Sequence, residues 1–366
     1  MRRVGRGPGR RVLSLVAVTA AASVTLAACG GGSTSSSGSS DGSKTLTIGM
    51  AVGGQPDVDW QKAQGDVARA LAKQRGWNYI ELSNNGDAPT ATKNVDTFIQ
   101  KKVDAVIEFN GQPSVNPVMA KKLAVAKIPT ITYDIAQQGW YFVGIDNKAA
   151  GEAGGKALGE IAKSKWNCDV DLVLSAEGKA AGPVNEARTG GMRTGLKSVC
   201  PDIPSDKYVS FESNGQVSVA QPAARDALAS HPQAKKILVV GINDSGVVGA
   251  LQAAEQLGRA DQIIGWGQDG SLITGANVNP HLAGSVFYFL ESYPTYTFEQ
   301  ILDKIAAGQA PPVKDTGEDP AVQIQPCPVS AAEAAKVPGT SDRVAQLAKA
   351  PKGKTALDLF CPAQSG

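Results

Sequence analysis

Polar side chains follow several short apolar runs of this chain, at points where a strand would end. They are Asn110, Asp134, Asn243, Gln268 and Asp269. Carboxylates and amides form hydrogen bonds with hydroxyl groups, so this set suits a ligand rich in hydroxyls. Each residue taken alone also fits a helix N-cap or an Asx-turn, where a short side chain accepts from backbone N–H groups. Their recurrence along the chain favours a binding site without deciding it.

Three tryptophans lie in predicted loops or at predicted strand ends near the same polar residues. They are Trp60, Trp140 and Trp266. An aromatic ring can pack against the C–H face of a sugar, whose hydroxyls then reach polar side chains. The alternative is peripheral packing. We expect at most two of the three rings to touch a ligand.

Catalytic and metal sites are not indicated by the sequence. His231 and His281 are the only histidines, neither has a Cys or Glu at metal-ligand spacing, and no Gly-x-Ser-x-Gly motif occurs. Gly265-x-Gly267-x-x-Gly270 matches the dinucleotide-binding pattern, but it lies in the last strand–helix unit rather than the first. We expect no catalytic residue, metal or cofactor. An envelope enzyme that uses an acidic pair is a minor alternative.

The elements that position these residues alternate regularly between Lys44 and Leu302. The predicted strands are Thr45–Val52, Asn78–Leu82, Ala105–Phe109, Thr130–Tyr133, Tyr141–Ile145, Val170–Ser175, Tyr208–Glu212, Lys236–Gly241, Gln262–Trp266 and Gly284–Phe289. The predicted helices are one that begins near Trp60 and ends at Gly76, then Thr90–Lys101, Pro117–Ala126, Ala149–Ser164, Val184–Val199, Ser218–Ser230 and Gly246–Leu257. Several runs are apolar throughout, which is typical of parallel strands covered on both faces.

This alternation predicts an α/β fold with two doubly wound parallel-sheet lobes joined by a hinge. Open parallel sheets bind ligands at the carboxyl ends of their strands. The polar residues named above follow such ends in both halves of the chain, so we expect them to face one cleft between the lobes.

The N-terminus has the layout of an export signal, with arginines, then the apolar run Val12–Ala22, then small residues. Leu26-Ala27-Ala28-Cys29 resembles the lipobox of bacterial lipoproteins, whose cysteine is acylated. We predict a signal peptide over 1–28, lipid on Cys29 and a flexible Gly/Ser linker over 29–43. A membrane span is the alternative, but the apolar run is short for the roughly 20 residues that a span needs. Export by the general or the twin-arginine route stays open.

The net charge of the chain without its predicted signal argues against a nucleic-acid partner. The predicted signal holds five arginines and no acidic residue, so its removal changes 36 basic and 34 acidic residues to 31 and 34. The remaining 338 residues then carry a net charge of −3, with no sign of the clustered basic face that nucleic acids require. We expect a monomer outside the cytoplasm, anchored to the cell membrane by its N-terminal lipid.

Four cysteines remain after Cys29, which in an oxidising compartment predicts two disulfides. Four thiols allow three pairings. We favour Cys168–Cys200, because one residue precedes a strand and the other ends the following helix, so both fall at the same sheet edge. Cys327–Cys361 would then fix the C-terminal segment. Free buried thiols are the alternative.

Residues 44–308 resemble the ribose-type, or type I, periplasmic sugar-binding proteins of ABC transporters. The motifs that carry the resemblance are Ile48-Gly49-Met50, Ile128-Pro129-Thr130-Ile131-Thr132-Tyr133-Asp134, Gly144-Ile145-Asp146-Asn147, Arg188-Thr189-Gly190-Gly191-Met192, His231-Pro232, Asn243-Asp244, Gly249-Ala250-Leu251 and Ile264-Gly265. The resemblance implies two lobes that close on a sugar and present it to an ABC permease. It also implies three crossovers between the lobes, near Asp146–Lys148, Tyr288–Ser292 and Ala310–Lys314.

The same resemblance implies ligand roles for individual residues. Asp134 matches a strand-end aspartate that binds sugar hydroxyls, and Asn243 matches an asparagine that precedes a second-lobe helix. Asp269, beside Gln268, corresponds to a later aspartate of the family. Tyr288 lies where the family places a polar residue near the hinge.

Departures from the family pattern argue against ribose itself. Ile135 stands in place of an arginine, and Glu186 aligns with the ligand arginine of the second-lobe helix, while Arg188 matches a neighbouring, usually structural arginine. An aromatic pair is replaced by Val58 and Asp59, with Trp60 next. The chain therefore lacks two arginines that would each donate two hydrogen bonds to a pair of ribose hydroxyls. We expect the ligand to be another sugar or a polyol.

We predict an N-terminal lobe over 44–147 plus 290–312, a C-terminal lobe over 148–289 and an irregular, proline-rich extension over 313–366. A receptor of the same fold that serves a signalling partner is an alternative that the sequence does not separate from a transport protein. An amino-acid-like ligand is another alternative, because Arg188 or Lys179 could bind a carboxylate.

Overall fold

The computed structural model describes residues 44–53, 59–110, 113–275, 277–311 and 322–362, except for the side chains of Asp59 and Pro113. These residues belong to one compact unit. The predicted signal, the lipid-bearing cysteine and the linker lie outside the described residues.

Two six-stranded sheets form the frame of this unit. The first contains β1 (Thr47–Val52), β2 (Asn78–Ser83), β3 (Ala105–Glu108), β4 (Thr130–Tyr133), β5 (Tyr141–Ile145) and β11 (Val322–Ile324), in the order β11-β5-β4-β3-β1-β2. The second contains β6 (Leu172–Glu177), β7 (Tyr208–Glu212), β8 (Ile237–Gly241), β9 (Ile263–Asp269), β10 (Leu282–Phe287) and β12 (Cys327–Ser330), in the order β12-β10-β9-β8-β6-β7. All pairs are parallel except β10 with β12.

Helices follow most of the strands. They are α1 (Asp59–Gln74), α2 (Ala88–Gln100), α3 (Asn116–Val125), α4 (Asn147–Trp166), α5 (Pro183–Val199), α6 (Val217–Ala229), α7 (Asp244–Gln256), α8 (Tyr293–Thr297), α9 (Asp303–Ala306), α10 (Ala331–Ala334), α11 (Thr340–Leu347) and α12 (Ala356–Phe360). A π-helical turn, Phe298–Leu302, joins α8 to α9. The α/β fold with two doubly wound, mostly parallel sheets is therefore confirmed, and β4, β5 and β7 have the predicted bounds.

Glycines on α4 let it pack closely against α5, the helix that carries Arg188. A Cβ atom at Gly151 would lie 2.3 Å from the backbone oxygen of Arg188, and one at Gly155 would lie 2.0 Å from that of Met192. Any larger residue would force the helices apart, because real Cβ contacts are never this short. This contact therefore sets the depth at which Arg188 enters the space between the sheets.

The chain passes between the sheets at three places. It leaves the first sheet after β5, since α4 packs against β9 and β10 of the second sheet. It returns after β10, through Tyr288–Ser292, into α8, which packs against α1 and β5. The third passage was predicted near Ala310–Lys314, but β11 still belongs to the first sheet and β12 belongs to the second. That passage is therefore formed by Gln325 and Pro326.

The C-terminal segment also differs from the irregular extension predicted from its prolines. Its described part adds an edge strand to each sheet and three short helices. Edge strands tolerate proline, because one side makes no ladder hydrogen bonds, and Pro328 lies within β12. Helix α11 then packs against α1, and Arg343 forms a buried ion pair with Glu291 of the second crossover. The lobe boundaries given above remain a prediction.

Both favoured disulfides are present, Cys168–Cys200 and Cys327–Cys361. The second joins the start of β12 to the residue after α12, so it holds the C-terminal helices beside the crossovers. Within the described ranges, no helix combines the length and apolar character needed to cross a bilayer.

Glu108, the last residue of β3, carries a fully buried carboxyl group. Asn84 donates to its Oε1 at 2.7 Å, whereas Oε2 has no hydrogen-bond partner among the described residues. Burial raises the pKa of Glu108 to about 8, although the bond from Asn84 acts in the opposite direction. Glu108 is therefore protonated at neutral pH in the folded protein.

We expect Glu108→Gln to gain stability relative to the parent protein as pH rises. A carboxyl with a raised pKa in the folded state contributes stability that is complete below about pH 4.5 and is lost progressively up to about pH 8. The free energy of unfolding of Glu108→Gln minus that of the parent protein should therefore grow by about 2–4 kcal/mol between pH 5 and 8, since one pKa unit corresponds to about 1.4 kcal/mol. Urea titrations at several pH values measure it. An equal slope for Glu186→Gln, an exposed control, would contradict this account.

Candidate functional site

A cavity of about 880 Å³ lies between the carboxyl ends of the two sheets. Five residues predicted for the site line it: Trp60, Asp134, Asn243, Asp269 and Tyr288. Asp134 follows β4 of the first sheet, whereas the last three lie at or after the ends of β8, β9 and β10 of the second. The cavity is thus built from both sheets, as the parallel topology requires.

Asp134 lies at the end of β4 in a left-handed backbone conformation with φ of 57°. The hydroxyl of Tyr293 donates to its Oδ1 at 2.9 Å, and its Oδ2 lies 3.8 Å from Nη2 of Arg188. Burial raises the pKa of Asp134, while Arg188, the bond from Tyr293 and a backbone hydrogen bond from Ile145 lower it. One carboxylate oxygen is thus held by the protein, and the other faces a cation across a gap too long for a hydrogen bond.

Arg188 projects from α5 into the cavity and is only 8% exposed. Its Nε donates to Oδ1 of Asn147 at 2.7 Å, and its guanidinium carbon lies 4.7 Å from the ring centroid of Tyr288. Its Nη2 has no hydrogen-bond partner among the described residues. A buried guanidinium N–H without an acceptor is costly, so this atom is a donor available to a ligand.

The prediction that Glu186 replaces the ligand arginine is corrected by the helix geometry. Glu186 is exposed and is absent from the cavity lining, whereas Arg188 lines it. Two residues along an α-helix correspond to a rotation of about 200°, so positions 186 and 188 face opposite sides. Alignment with the family pointed to position 186, and the face that α5 turns to the cavity was settled only by its packing on α4.

Two other predicted residues are buried behind the cavity. Gln268 is fully buried, accepts a hydrogen bond from the Tyr288 hydroxyl and donates to the Gly241 carbonyl at 3.3 Å. Asn110 is 3% exposed and donates to Oδ1 of Asn116 at 2.9 Å. Neither lines the cavity, so both support its walls. The side chain of Asp59 lies outside the described part of the chain.

Asn243 both caps a helix and lines the cavity, so the two interpretations of this residue are compatible. Its Oδ1 accepts from the Gly246 N–H at 3.0 Å, which caps α7, and its Nδ2 donates to the Gly215 carbonyl at 3.0 Å. The predicted N-cap is therefore present. Asn243 also lines the cavity, where an amide oxygen and nitrogen retain further hydrogen-bonding capacity.

Two carboxylates lie together on the second-sheet side. Asp269 lines the cavity and accepts from the Ser271 N–H at 2.8 Å, while Asp244 is fully buried behind it and accepts from Ser285 at 2.6 Å. Burial raises the pKa of Asp244 well above its usual range, and the charge of Asp269 adds to this. Burial also raises the pKa of Asp269, to about 6. Asp269 therefore carries the charge at neutral pH.

One of the three candidate tryptophans reaches the cavity. Trp60 lines it and packs edge-on against Phe109, with ring centroids 5.2 Å apart. Trp140 and Trp266 are 3% and 4% exposed and pack in the core. Across the ranges that the structure covers, no cluster of three or more His, Cys, Asp and Glu residues has a geometry that could hold a metal ion.

A family model described as a periplasmic binding protein domain matches residues 48–286 of this chain. Among curated proteins, the chain is 28% identical over 253 residues to the D-apiose import binding protein of Paraburkholderia graminis, covering 68% of this chain and 76% of that protein. It is 25% identical over 243 residues to the L-arabinose-binding periplasmic protein of Escherichia coli K12, covering 62% and 71%.

Solved structures show the same fold at lower identity. An ABC transporter periplasmic solute-binding protein from Actinobacillus succinogenes with bound D-allose matches with a TM-score of 0.65 and 22% identity, covering 79% of this chain and 99% of that one. An ABC transporter solute-binding protein from Mycobacterium smegmatis with bound glycerol has a TM-score of 0.64 and 22% identity, covering 81% and 97%. The match of the family model, together with this fold, confirms the resemblance to type I periplasmic sugar-binding proteins, and the chain belongs to the periplasmic binding protein family.

Proposed function

We propose that this protein is a lipid-anchored, extracytoplasmic solute-binding protein that captures a sugar or polyol and delivers it to an ABC importer. The observation that carries the proposal is the pairing of two groups across one cavity: Asp134, which follows β4 of the first sheet, and Arg188 on α5, which packs against β6 and β8 of the second. The relatives support the ligand class, because they include import and binding proteins for D-apiose and L-arabinose and solute-binding proteins with D-allose or glycerol bound.

The gap between Asp134 and Arg188 suits a hydroxyl group. Oδ2 of Asp134 and Nη2 of Arg188 are 3.8 Å apart, and Nη2 has no acceptor among the described residues. A ligand hydroxyl beside both atoms can donate to the carboxylate and accept from the guanidinium. Hydrogen bonds to charged groups contribute about 1.5–3 kcal/mol each, so such a bridge would contribute substantially to affinity.

The charge of the cavity disfavours an anionic ligand. Among the described lining residues, Glu291 and Arg343 pair with each other, which leaves the two carboxylates Asp134 and Asp269 against the single guanidinium of Arg188. A second carboxylate brought by a ligand would therefore meet net negative charge. Trp60 offers an apolar face for the C–H surface of a ring. A neutral polyhydroxylated molecule satisfies both features.

The placement of the lining residues on both sheets supports capture of the ligand between two lobes. A ligand shifts a protein toward a closed form only through contacts that are better in that form. Here the contacting groups come from both sheets, and the predicted lobes, 44–147 plus 290–312 and 148–289, are joined by crossovers where a hinge would lie. The predicted lipid on Cys29 and the linker over 29–43 would keep the monomer beside a membrane permease.

Asp134→Asn should weaken binding of a sugar or polyol about 10- to 100-fold, because the amide replaces a charged acceptor with a neutral one. Isothermal titration calorimetry with a panel of pentoses, hexoses, inositols and small polyols measures this. Asp261→Asn, an exposed substitution of the same chemistry, is the matched control. Absence of binding across the panel by the unmodified protein would reject the proposed ligand class, and unchanged affinity in Asp134→Asn would remove Asp134 from the site.

Affinity should fall as pH drops below about 6. Asp269 accepts ligand hydroxyls best when ionised, and its pKa in the free protein is raised to about 6 by burial. Binding measured from pH 5 to 8 should therefore strengthen as pH rises through the pKa of Asp269 and level off about one unit above it. Asp269→Asn should bind more weakly at pH 8 and lose most of the change around pH 6. Retention of the full pH dependence in this variant would show that another group is responsible.

A further inference from the structure

The second crossover touches the charged groups of both sheets. At its start, Tyr288 lies beneath the Arg188 guanidinium, and its hydroxyl donates to Gln268. Five residues later, Tyr293 begins α8 and donates to Asp134 at 2.9 Å. Both tyrosines are fully buried. The segment that joins the two sheets therefore also holds both members of the Asp134–Arg188 pair.

Tyr293 is fixed independently of Asp134. Its ring packs edge-on against Tyr133, with centroids 5.5 Å apart, and its backbone carbonyl accepts from the Thr297 hydroxyl at 3.0 Å. The ring therefore cannot follow Asp134 if that side chain turns. The hydroxyl of Tyr293 instead acts as a fixed donor, which sets the orientation of the carboxylate.

We propose that Tyr293 is a positioning residue for ligand capture, whose hydroxyl engages Oδ1 of Asp134 so that Oδ2 is presented to the ligand beside Arg188. This inference rests on the proposed function for its effect on affinity. Without the bond, only the backbone N–H of Ile145 still bonds to this carboxylate, so its last side-chain torsion, which is broad for aspartate, is less restricted. The ligand would then have to order a group that the parent protein holds in place.

The bond also changes the titration of Asp134. The ionisable groups that face this carboxylate are Arg188 on α5, Tyr293 on α8, Tyr288 in the crossover and Asp269 on β9. Hydrogen bonding to the carboxylate favours its charged form, so loss of the Tyr293 hydroxyl should raise the pKa of Asp134 further. The effect is independent of any ligand.

The test is Tyr293→Phe, which keeps the ring and removes the donor. We expect sugar affinity at pH 8 to fall about five- to tenfold, because the ligand must then order the Asp134 carboxylate itself. In the ligand-free protein, the carboxyl carbon resonance of Asp134, followed by NMR, should titrate at higher pH than in the parent. Tyr133→Phe is the control, because it removes a neighbouring buried hydroxyl that bonds to Thr297 at 3.0 Å.

The outcomes separate this proposal from the proposed function. An unchanged Asp134 titration in Tyr293→Phe, or an equal shift in Tyr133→Phe, overturns the positioning role. If the parent protein binds no sugar or polyol, the proposed function fails while the NMR titration still reports the Tyr293–Asp134 contact. The Asp134→Asn protein supplies a second test, as one side of a double-mutant cycle. Adding Tyr293→Phe to it should lower stability without further loss of affinity, and a further loss of similar size contradicts the role.

Discussion

The structure depends on one buried pair of opposite charges, the carboxylate of Asp134 and the guanidinium of Arg188. The two groups lie 3.8 Å apart, and no hydrogen bond joins them. Taking a carboxylate and a guanidinium out of water costs several kcal/mol, and attraction across such a gap offsets this cost incompletely. The protein holds the two groups through other partners. Tyr293 bonds to Asp134, while Asn147 and the Tyr288 ring support Arg188. In the proposed function, a ligand hydroxyl that bridges the two groups completes the arrangement.

The surrounding helices and strands fix the positions of Asp134 and Arg188 and so maintain the gap between them. Glycines on α4 set the position of α5 and with it Arg188, while β4 ends in the left-handed turn that presents Asp134. The crossover from Tyr288 to Tyr293 connects these supports. Its own position is secured by the buried Arg343–Glu291 pair and by Phe360, whose ring lies 5.9 Å from that of Phe289. The C-terminal helices, fixed by Cys327–Cys361, thus stabilise the region about which the lobes would turn.

The sequence predicted the sheet frame well, because its strands are continuous apolar runs bounded by glycine and polar residues. It predicted β11 and β12 poorly, since strands of three and four residues in a proline-rich segment acquire their identity only by pairing with β5 and β10. Strand-end positions led correctly to Asp134, Asn243 and Asp269 in the cavity lining. The sequence predicted Arg188 to lie beside the site rather than in it. The face of a helix that meets a cleft depends on how the helix packs against another helix, which the sequence alone does not show. Tyr293 had no local signal, since it reaches Asp134 across 159 positions of chain.

The most direct test is a crystal structure of the protein with the ligand that it retains on purification or that calorimetry identifies. The account predicts a polyhydroxylated molecule in the cavity, in contact with both sheets, with one hydroxyl within about 3 Å of both Oδ2 of Asp134 and Nη2 of Arg188. A ligand bound by one sheet alone, or a direct Asp134–Arg188 hydrogen bond that excludes the ligand, would contradict it.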